Sequence, residues 1–265
     1  MDSAATNSSK EIWQPLPHVA PVGFKNSILF YLRLFFDISV FTTYKDVKKY
    51  LLTAKNNVLE VGCGLKPYRN LIPKDVKYYA IDWKGSSDHF HYNNADTIYY
   101  DGNNFPLKDS SFDYLFHTEV LEHIYDINQF LKECYRVLSK KGKMFFTIPF
   151  AARNHYIPYD YWRLTPAAIE KLLGNTGFVN IYVKPRGNDI IVAITKINIL
   201  IVRTVMRNIH NPVIMLLNKI IFGLIFVIPW ASLTILEHIL LFLKVGSSDD
   251  PLGYSVYCEK EVTSE

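Results

Sequence analysis

Val58-Leu59-Glu60-Val61-Gly62-Cys63-Gly64 is the stretch on which the reading of this chain turns. A short apolar run closed by Gly-Cys-Gly reads as a buried parallel strand and a tight turn. Glycine has no Cβ, so Gly62 and Gly64 allow backbone to approach a ligand closely. Taken alone, such a turn is equally a plain turn.

The pattern repeats outward from that point. Residues 78–82 predict a second strand ending in Asp82, 97–100 a third ending at Asp101-Gly102, and 112–117 a fourth. Ile127, Phe130, Leu131, Cys134, Val137 and Leu138 fall at helical spacing, and Lys140, Lys141 and Gly142 are expected to end that helix. Residues 143–149 and 178–183 predict strands five and six. Thr165-Pro166 between them starts a helix that runs to about Gly174. Residues 254–258 are the last strand. Strands alternating with helices imply an α/β, doubly wound, mostly parallel sheet, with ligands beyond the carboxyl ends of the strands. Few residues separate Gly64 from Pro73, so the first crossover helix must be very short. The Ser/His/Asn-rich stretch before Thr97 suggests that the second is missing.

Bulk properties fit a folded protein with a sizeable core: 265 residues, 49% hydrophobic, 20% charged. A formal net charge of +4 without a long basic run disfavours nucleic acid as a partner and suits an anionic membrane surface. Cys63, Cys134 and Cys258 are far apart and odd in number, which fits a reducing compartment. The first 23 residues read as a polar, proline-bearing arm rather than a signal peptide.

The acids at the strand ends suit a particular ligand. Asp82, 22 residues after Glu60, can accept a ribose diol. Trp83 offers a ring to a base. A nicotinamide-dinucleotide site is disfavoured, because Gly62-Cys63-Gly64-Leu65-Lys66-Pro67 lacks the third glycine of that fingerprint. Glu60–Gly64, Asp82, Asp101, residues 105–113 and residues 136–143 together resemble the motif series of the type 11 group of class I S-adenosylmethionine-dependent methyltransferases. The likeness spans roughly residues 56–186 plus the last strand.

This resemblance implies seven strands in the order 3-2-1-4-5-7-6, with S-adenosylmethionine as cofactor. Glu60 is then the partner of the methionine amino group, and Gly62, Cys63 and Gly64 form the cradle. Asp82 takes the ribose, Trp83, Asp101 and Gly102 lie near the adenine, and His117 ends strand four facing the cofactor.

Two clusters are candidates for work on the acceptor. If residues 119–123 are helical, Glu119, Glu122 and His123 share one face. The stretch resembles metal-binding segments of ubiquinone-pathway O-methyltransferases and of a small-RNA 2′-O-methyltransferase family. Many relatives carry it without metal, so no metal is expected, with these three as the candidate ligands. Residues 155–165 resemble a segment of methyltransferases of glycan biosynthesis. They supply a base candidate, His155, an orienting acid, Asp160, and aromatic surfaces, Tyr161 and Trp162. His155, Asp160 and His123 are the candidate catalytic residues. Asp160 pairing with Arg163 to rigidify a lid is an equal reading.

Two segments are apolar on nearly every face: residues 26–41, followed by a helix at about 43–54, and residues 188–245, with an uncharged run at 220–236. If the last strand rejoins the sheet, both ends of this insertion lie on one side of any membrane. The apolar length is too small for two crossings. The expected solution is a hairpin turning near Pro229-Trp230 and dipping into one leaflet, or else a soluble helical subdomain. The expected divisions are 1–55, an arm with apolar helices; 56–187, the cofactor-binding core; 188–252, the apolar insertion; and 253–265, the last strand and tail. The overall expectation is methyl transfer to an amphipathic or lipid-linked acceptor at the cytoplasmic face of a membrane. A glycan precursor comes first and a quinone-like lipid second. A non-catalytic membrane scaffold is the alternative of another class.

Overall fold

A computed structural model describes residues 18–89, 92, 94–205 and 212–261. The first 17 residues of the predicted arm lie outside that set.

Seven strands form one sheet: β1 (Asn57–Val61), β2 (Lys77–Trp83), β3 (Ile98–Tyr100), β4 (Phe112–Thr118), β5 (Leu138–Pro149), β6 (Phe178–Arg186) and β7 (Gly253–Lys260), in the order β3-β2-β1-β4-β5-β7-β6. β7 runs antiparallel to both β5 and β6, while the other pairs are parallel. The strand order is the one that the resemblance implies.

Period-two alternation divides the core into two layers. Leu59, Val61 and Leu115 point to one face, with Phe130, Leu131 and Cys134 of α4 (Ile127–Val137) and Ile169 and Leu173 of α5 (Pro166–Thr176). Val58, Tyr114 and Phe116 point to the other, against Val47, Tyr50 and Leu51 of α2 (Ile38–Leu51) and against Tyr68, Ile72 and Val76. Asp126 caps α4 by accepting from the Gln129 N–H at 3.0 Å. Thr165 caps α5, Pro166 opens it, and Gly177 at φ 100° closes it.

The crossovers are abbreviated. Only a 3₁₀ turn, Arg69–Leu71, follows β1, as the short spacing requires. The second crossover is not missing: α3 (Lys84–His89) occupies it for six residues. α4 stops at Val137, before Lys140-Lys141-Gly142, because the chain already joins the sheet at Leu138 opposite Phe112.

The apolar segments differ most from expectation. Residues 26–41 are not one helix. α1 (Gly23–Phe36) ends at Asp37, which caps α2 by accepting from the Val40 N–H at 3.1 Å, and the two helices are bent by 109°. The break deprives the Val40 N–H of the Phe36 carbonyl, and the Asp37 carboxylate replaces it. Nor does the chain turn at Pro229. α7 (Pro212–Leu243) runs through that proline, whose missing N–H bond and ring clash with the carbonyl four residues back are tolerated within a long apolar helix. The hairpin is formed instead by α6 (Asp189–Val205) and α7, which pack together.

α7 is anchored along one side. Glu237 accepts from Thr195 Oγ1 at 2.7 Å and Asn198 Nδ2 at 3.0 Å on α6. Trp230 stacks on Phe36 at 4.5 Å, and His238 stacks on Phe35 at 5.4 Å. Its other side is bare: Leu224 and Ile228 are each 72% exposed. Phe24, Ile28 and Leu32 of α1 are exposed as well. Among the described residues, Ile220–Leu243 is the one helical segment long and apolar enough to cross a membrane, with mean hydropathy 2.1 and little of it buried.

Candidate active site

β1 and β4 are neighbours from which the sheet is extended in opposite directions, so their carboxyl ends open a crevice. Gly62 and Gly64 stand there with φ of 67° and 48°, the left-handed region that glycine enters without penalty. A Cβ on Gly62 would lie 2.5 Å from Val120 Cγ2, so this glycine lets the segment after β4 close over the turn. A Cβ on Gly64 would meet nothing within 4 Å, so its open side is a cradle a ligand can enter.

Glu60 is 2% exposed and bonded to the Tyr78 hydroxyl. Burial pushes its carboxyl up to about 8, against the opposing effects of Tyr78 and Lys66. Asp82 is buried at the end of β2. It accepts the Gly64 N–H and the Tyr92 hydroxyl, both at 2.8 Å on Oδ2, and the Trp83 N–H at 2.8 Å on Oδ1. Burial raises its carboxyl, with those donors opposing. Oδ1, with one donor, retains capacity for a ligand hydroxyl. Cys63 is buried with Sγ 3.9 Å from Asp82 Oδ2, and burial raises its thiol. Trp83 lies against Gly85 and Gly102 and edge-on to Tyr159 at 5.3 Å. Asp101 is exposed and caps its own turn, accepting from the N–H of Asn103 at 2.9 Å and Asn104 at 3.3 Å. These residues lie at the carboxyl ends of β1, β2 and β3.

His117 does not face the cofactor. It shares the parity of Leu115 and so points into the α4 layer, fully buried, stacked on Phe146 at 4.7 Å and edge-on to Phe130. Burial lowers its imidazole to about 3. It is a neutral core side chain.

The acceptor-side residues are rearranged relative to expectation. Residues 119–123 are not an α-helix: Glu119 has φ 52°, and only Leu121–His123 form a 3₁₀ turn. Glu119 is therefore turned away, to Arg186 NH2 at 2.6 Å. In its place the loop after β5 brings in His155. Glu122 Oε1 lies 3.5 Å from His123 Nε2 and 3.7 Å from His155 Nε2. His155 Nδ1 lies 3.3 Å from Asp160 Oδ2, and Asp160 also accepts the His155 N–H at 2.9 Å. Arg163 grips Asp160 with two bonds of 2.6 and 2.8 Å. Asp160 thus contacts both His155 and Arg163. Burial lowers the His155 imidazole, but Asp160 and Glu122 outweigh it and hold it up to about 10. Burial disfavours the Asp160 anion, but His155 and Arg163 more than offset it and keep the carboxyl well below its usual range.

The loop is latched across the crevice. Tyr161 N–H donates to the Glu122 carbonyl at 2.8 Å, Trp162 Nε1 to the Ile124 carbonyl at 2.8 Å, and the Tyr159 carbonyl meets His123 Nδ1 at 2.7 Å. Tyr125, Tyr161 and Trp162 remain exposed at its rim.

Several participants escape sequence reading. Tyr78 and Glu60 share a sheet face by register, Val58 opposite Tyr78 and Glu60 opposite Ala80, and that parity is the signal that could have paired them. Tyr92 on Asp82, Asn94 Nδ2 on the Gly64 carbonyl at 2.8 Å, and Lys66 on Asp96 come from loops without a pattern.

Sheet order and glycine turn together give the fold of the class I S-adenosylmethionine-dependent methyltransferases. Residues 59–146 match the family model described as a methyltransferase domain. The matched segment carries β1 to β5, and the open cradle at Gly64 flanked by Glu60 and Asp82 fits S-adenosylmethionine, the cofactor of that domain. A SAM-dependent methyltransferase from Archaeoglobus fulgidus shares the fold at TM-score 0.53 and 14% identity, over 88% of this chain and 99% of that one. A possible histamine N-methyltransferase from Thermotoga maritima does so at 0.50 and 13%, over 90% and 98%. Phosphoethanolamine N-methyltransferase 2 of Haemonchus contortus is similar at 0.49 and 15% over 83% of this chain, which spans about half (52%) of that longer protein. No curated protein matches the chain by sequence.

Proposed function

We propose that this protein transfers the methyl group of S-adenosylmethionine to an amphipathic or lipid-linked acceptor, foremost a glycan precursor, at the cytoplasmic face of a membrane. The observation that carries this reading is the latched loop. Tyr159 meets Trp83 on the cofactor side and His123 on the acceptor side, so one segment closes both halves of the crevice. In the reaction the sulfonium–methyl bond breaks as a bond from the acceptor atom to that carbon forms. S-adenosylhomocysteine leaves, and the acceptor's proton passes to solvent or to a nearby base. The site's main task is alignment. Exposed Tyr125, Tyr161 and Trp162 offer faces on which a sugar or another amphipathic body can lie.

The membrane assignment rests on the bare apolar sides of α1 and α7. Both α6 and α7 return to the sheet, into β6 and β7 respectively, so the hairpin docks from one side. A lipid surface fits these helices better than a protein partner does, because the exposed apolar residues continue around much of α7. The test is mass spectrometry of lipid and glycan extracts from cells with and without the protein, seeking a product heavier by one methylene. Calorimetry with S-adenosylmethionine accompanies it. A methylated glycan lipid supports the reading, and a methylated quinone-like lipid replaces the acceptor. Failure of the intact protein to bind S-adenosylmethionine overturns it in favour of a scaffold.

A further inference from the structure

We propose that Glu122, His123 and His155 form a site for one divalent transition-metal cation of the zinc type. The first observation is a buried carboxyl group without a hydrogen-bond partner. Glu122 is 0% exposed, yet neither carboxylate oxygen has a hydrogen-bond partner, an expensive state for a buried carboxylate. The two nearby imidazole nitrogens are too distant to satisfy it, at 3.5 and 3.7 Å.

Those separations suit a shared ion instead. Bonds of about 2.0–2.1 Å to a tetrahedral cation place its ligand atoms roughly 3.3 Å apart. One ligand atom from each of the three residues lies within 4.8 Å of the others.

The second observation is the orientation of both rings. His123 Nδ1 faces the Tyr159 carbonyl at 2.7 Å, an acceptor, so this nitrogen carries the proton. His155 Nδ1 faces the Arg153 carbonyl at 3.0 Å and Asp160 at 3.3 Å, again acceptors only. Each ring therefore turns Nε2 toward Glu122. Asp160, itself clamped by Arg163, completes a carboxylate–histidine–metal relay of the kind that fixes tautomer and ring angle. Two imidazoles and one carboxylate suit zinc or a neighbouring first-row cation better than magnesium or calcium.

Three protein ligands leave a further position for a ligand from the crevice. An acceptor hydroxyl bound there loses its proton to solvent more readily, and its oxygen attacks the sulfonium methyl, forming the C–O bond as the C–S bond breaks. This assignment of an oxygen acceptor rests on the methyl-transfer reading; the metal site itself does not.

The test is binding. Full-length protein in detergent, stripped with a chelator, is titrated with Zn²⁺ against a chromophoric competitor, and S-adenosylmethionine affinity is measured on the same samples. One equivalent should bind. Affinity should fall by at least about tenfold to a hundredfold in His155→Asn and Glu122→Gln, and by a similar factor in the outer-shell variant Asp160→Asn. Co²⁺ in place of Zn²⁺ should give a four-coordinate absorption spectrum that His155→Asn abolishes. S-adenosylmethionine affinity unchanged in His155→Asn establishes that this variant is folded. Absence of a stoichiometric site, or equal Zn²⁺ affinity in folded His155→Asn, overturns the proposal and leaves a protonated His155 as the counter-charge of Glu122. Zinc binding without S-adenosylmethionine binding leaves the metal site standing and removes the methyl-transfer reading.

Discussion

Arg186, at the end of β6, places its guanidinium 2.6 Å from Glu119 at the end of β4. The arginine is wholly buried and also donates to Thr43 Oγ1 and, at 3.3 Å, to the Ser39 carbonyl of α2. One side chain thus joins the strand that enters the apolar insertion, the helix beneath the sheet and the segment that leads from β4 to Glu122 and His123.

Arg186→Met should therefore destabilise the protein by about 3 kcal/mol, the lower end for breaking a buried pair, because Glu119 is partly exposed. Thermal unfolding should show the midpoint falling by roughly 5–10 °C. Adding Glu119→Gln should restore part of the loss, since the unpaired carboxylate is then removed.

Gly62 and Gly64 should respond differently to alanine. Gly62→Ala meets Val120 and a left-handed φ, so stability and cofactor binding should fall together. Gly64→Ala carries only the backbone penalty of about 1 kcal/mol, yet its methyl enters the cradle. Calorimetry should show S-adenosylmethionine affinity falling by tenfold or more while the unfolding midpoint moves little. Equal affinity in Gly64→Ala places the cofactor elsewhere.

Glu60 predicts a pH dependence. Its carboxyl is raised to about 8 in the folded state, so between about pH 5 and 8 the folded protein holds a proton that the unfolded chain has released. Stability should then decline as pH rises through that window, by at most about 1.4 kcal/mol per unit. Glu60→Gln should flatten the decline, as urea unfolding at several pH values will report. The cationic tail of S-adenosylmethionine favours the ionised carboxyl, so binding at pH 7 should release a proton. Calorimetry in two buffers of different ionisation enthalpy should show this for the native protein and not for Glu60→Gln.

The apolar faces predict vesicle binding. The full chain should float with vesicles containing anionic lipid, and the double variant Leu224→Glu, Ile228→Glu should not. Both positions are largely exposed, so the unfolding midpoint in detergent should change little. Flotation that persists in this variant assigns docking to another surface.

The sequence by itself determined the sheet. The apolar run of β1, the glycine turn and the acids at the strand ends follow from local pattern and from the special backbone freedom of glycine, which act within a few residues. Thr165 was legible as a cap for the same reason. Only the tertiary structure decided where side chains meet across the chain. His155 reaches Glu122 because the ends of β4 and β5 are neighbours, and Glu119 is lost to Arg186 because residues 119–123 do not continue as a helix. His117 turned inward by strand parity. The break at Asp37 and the passage through Pro229 were settled by a cap at one and by an uninterrupted apolar helix at the other. Where local patterns leave the outcome open, contacts between residues distant in sequence select it.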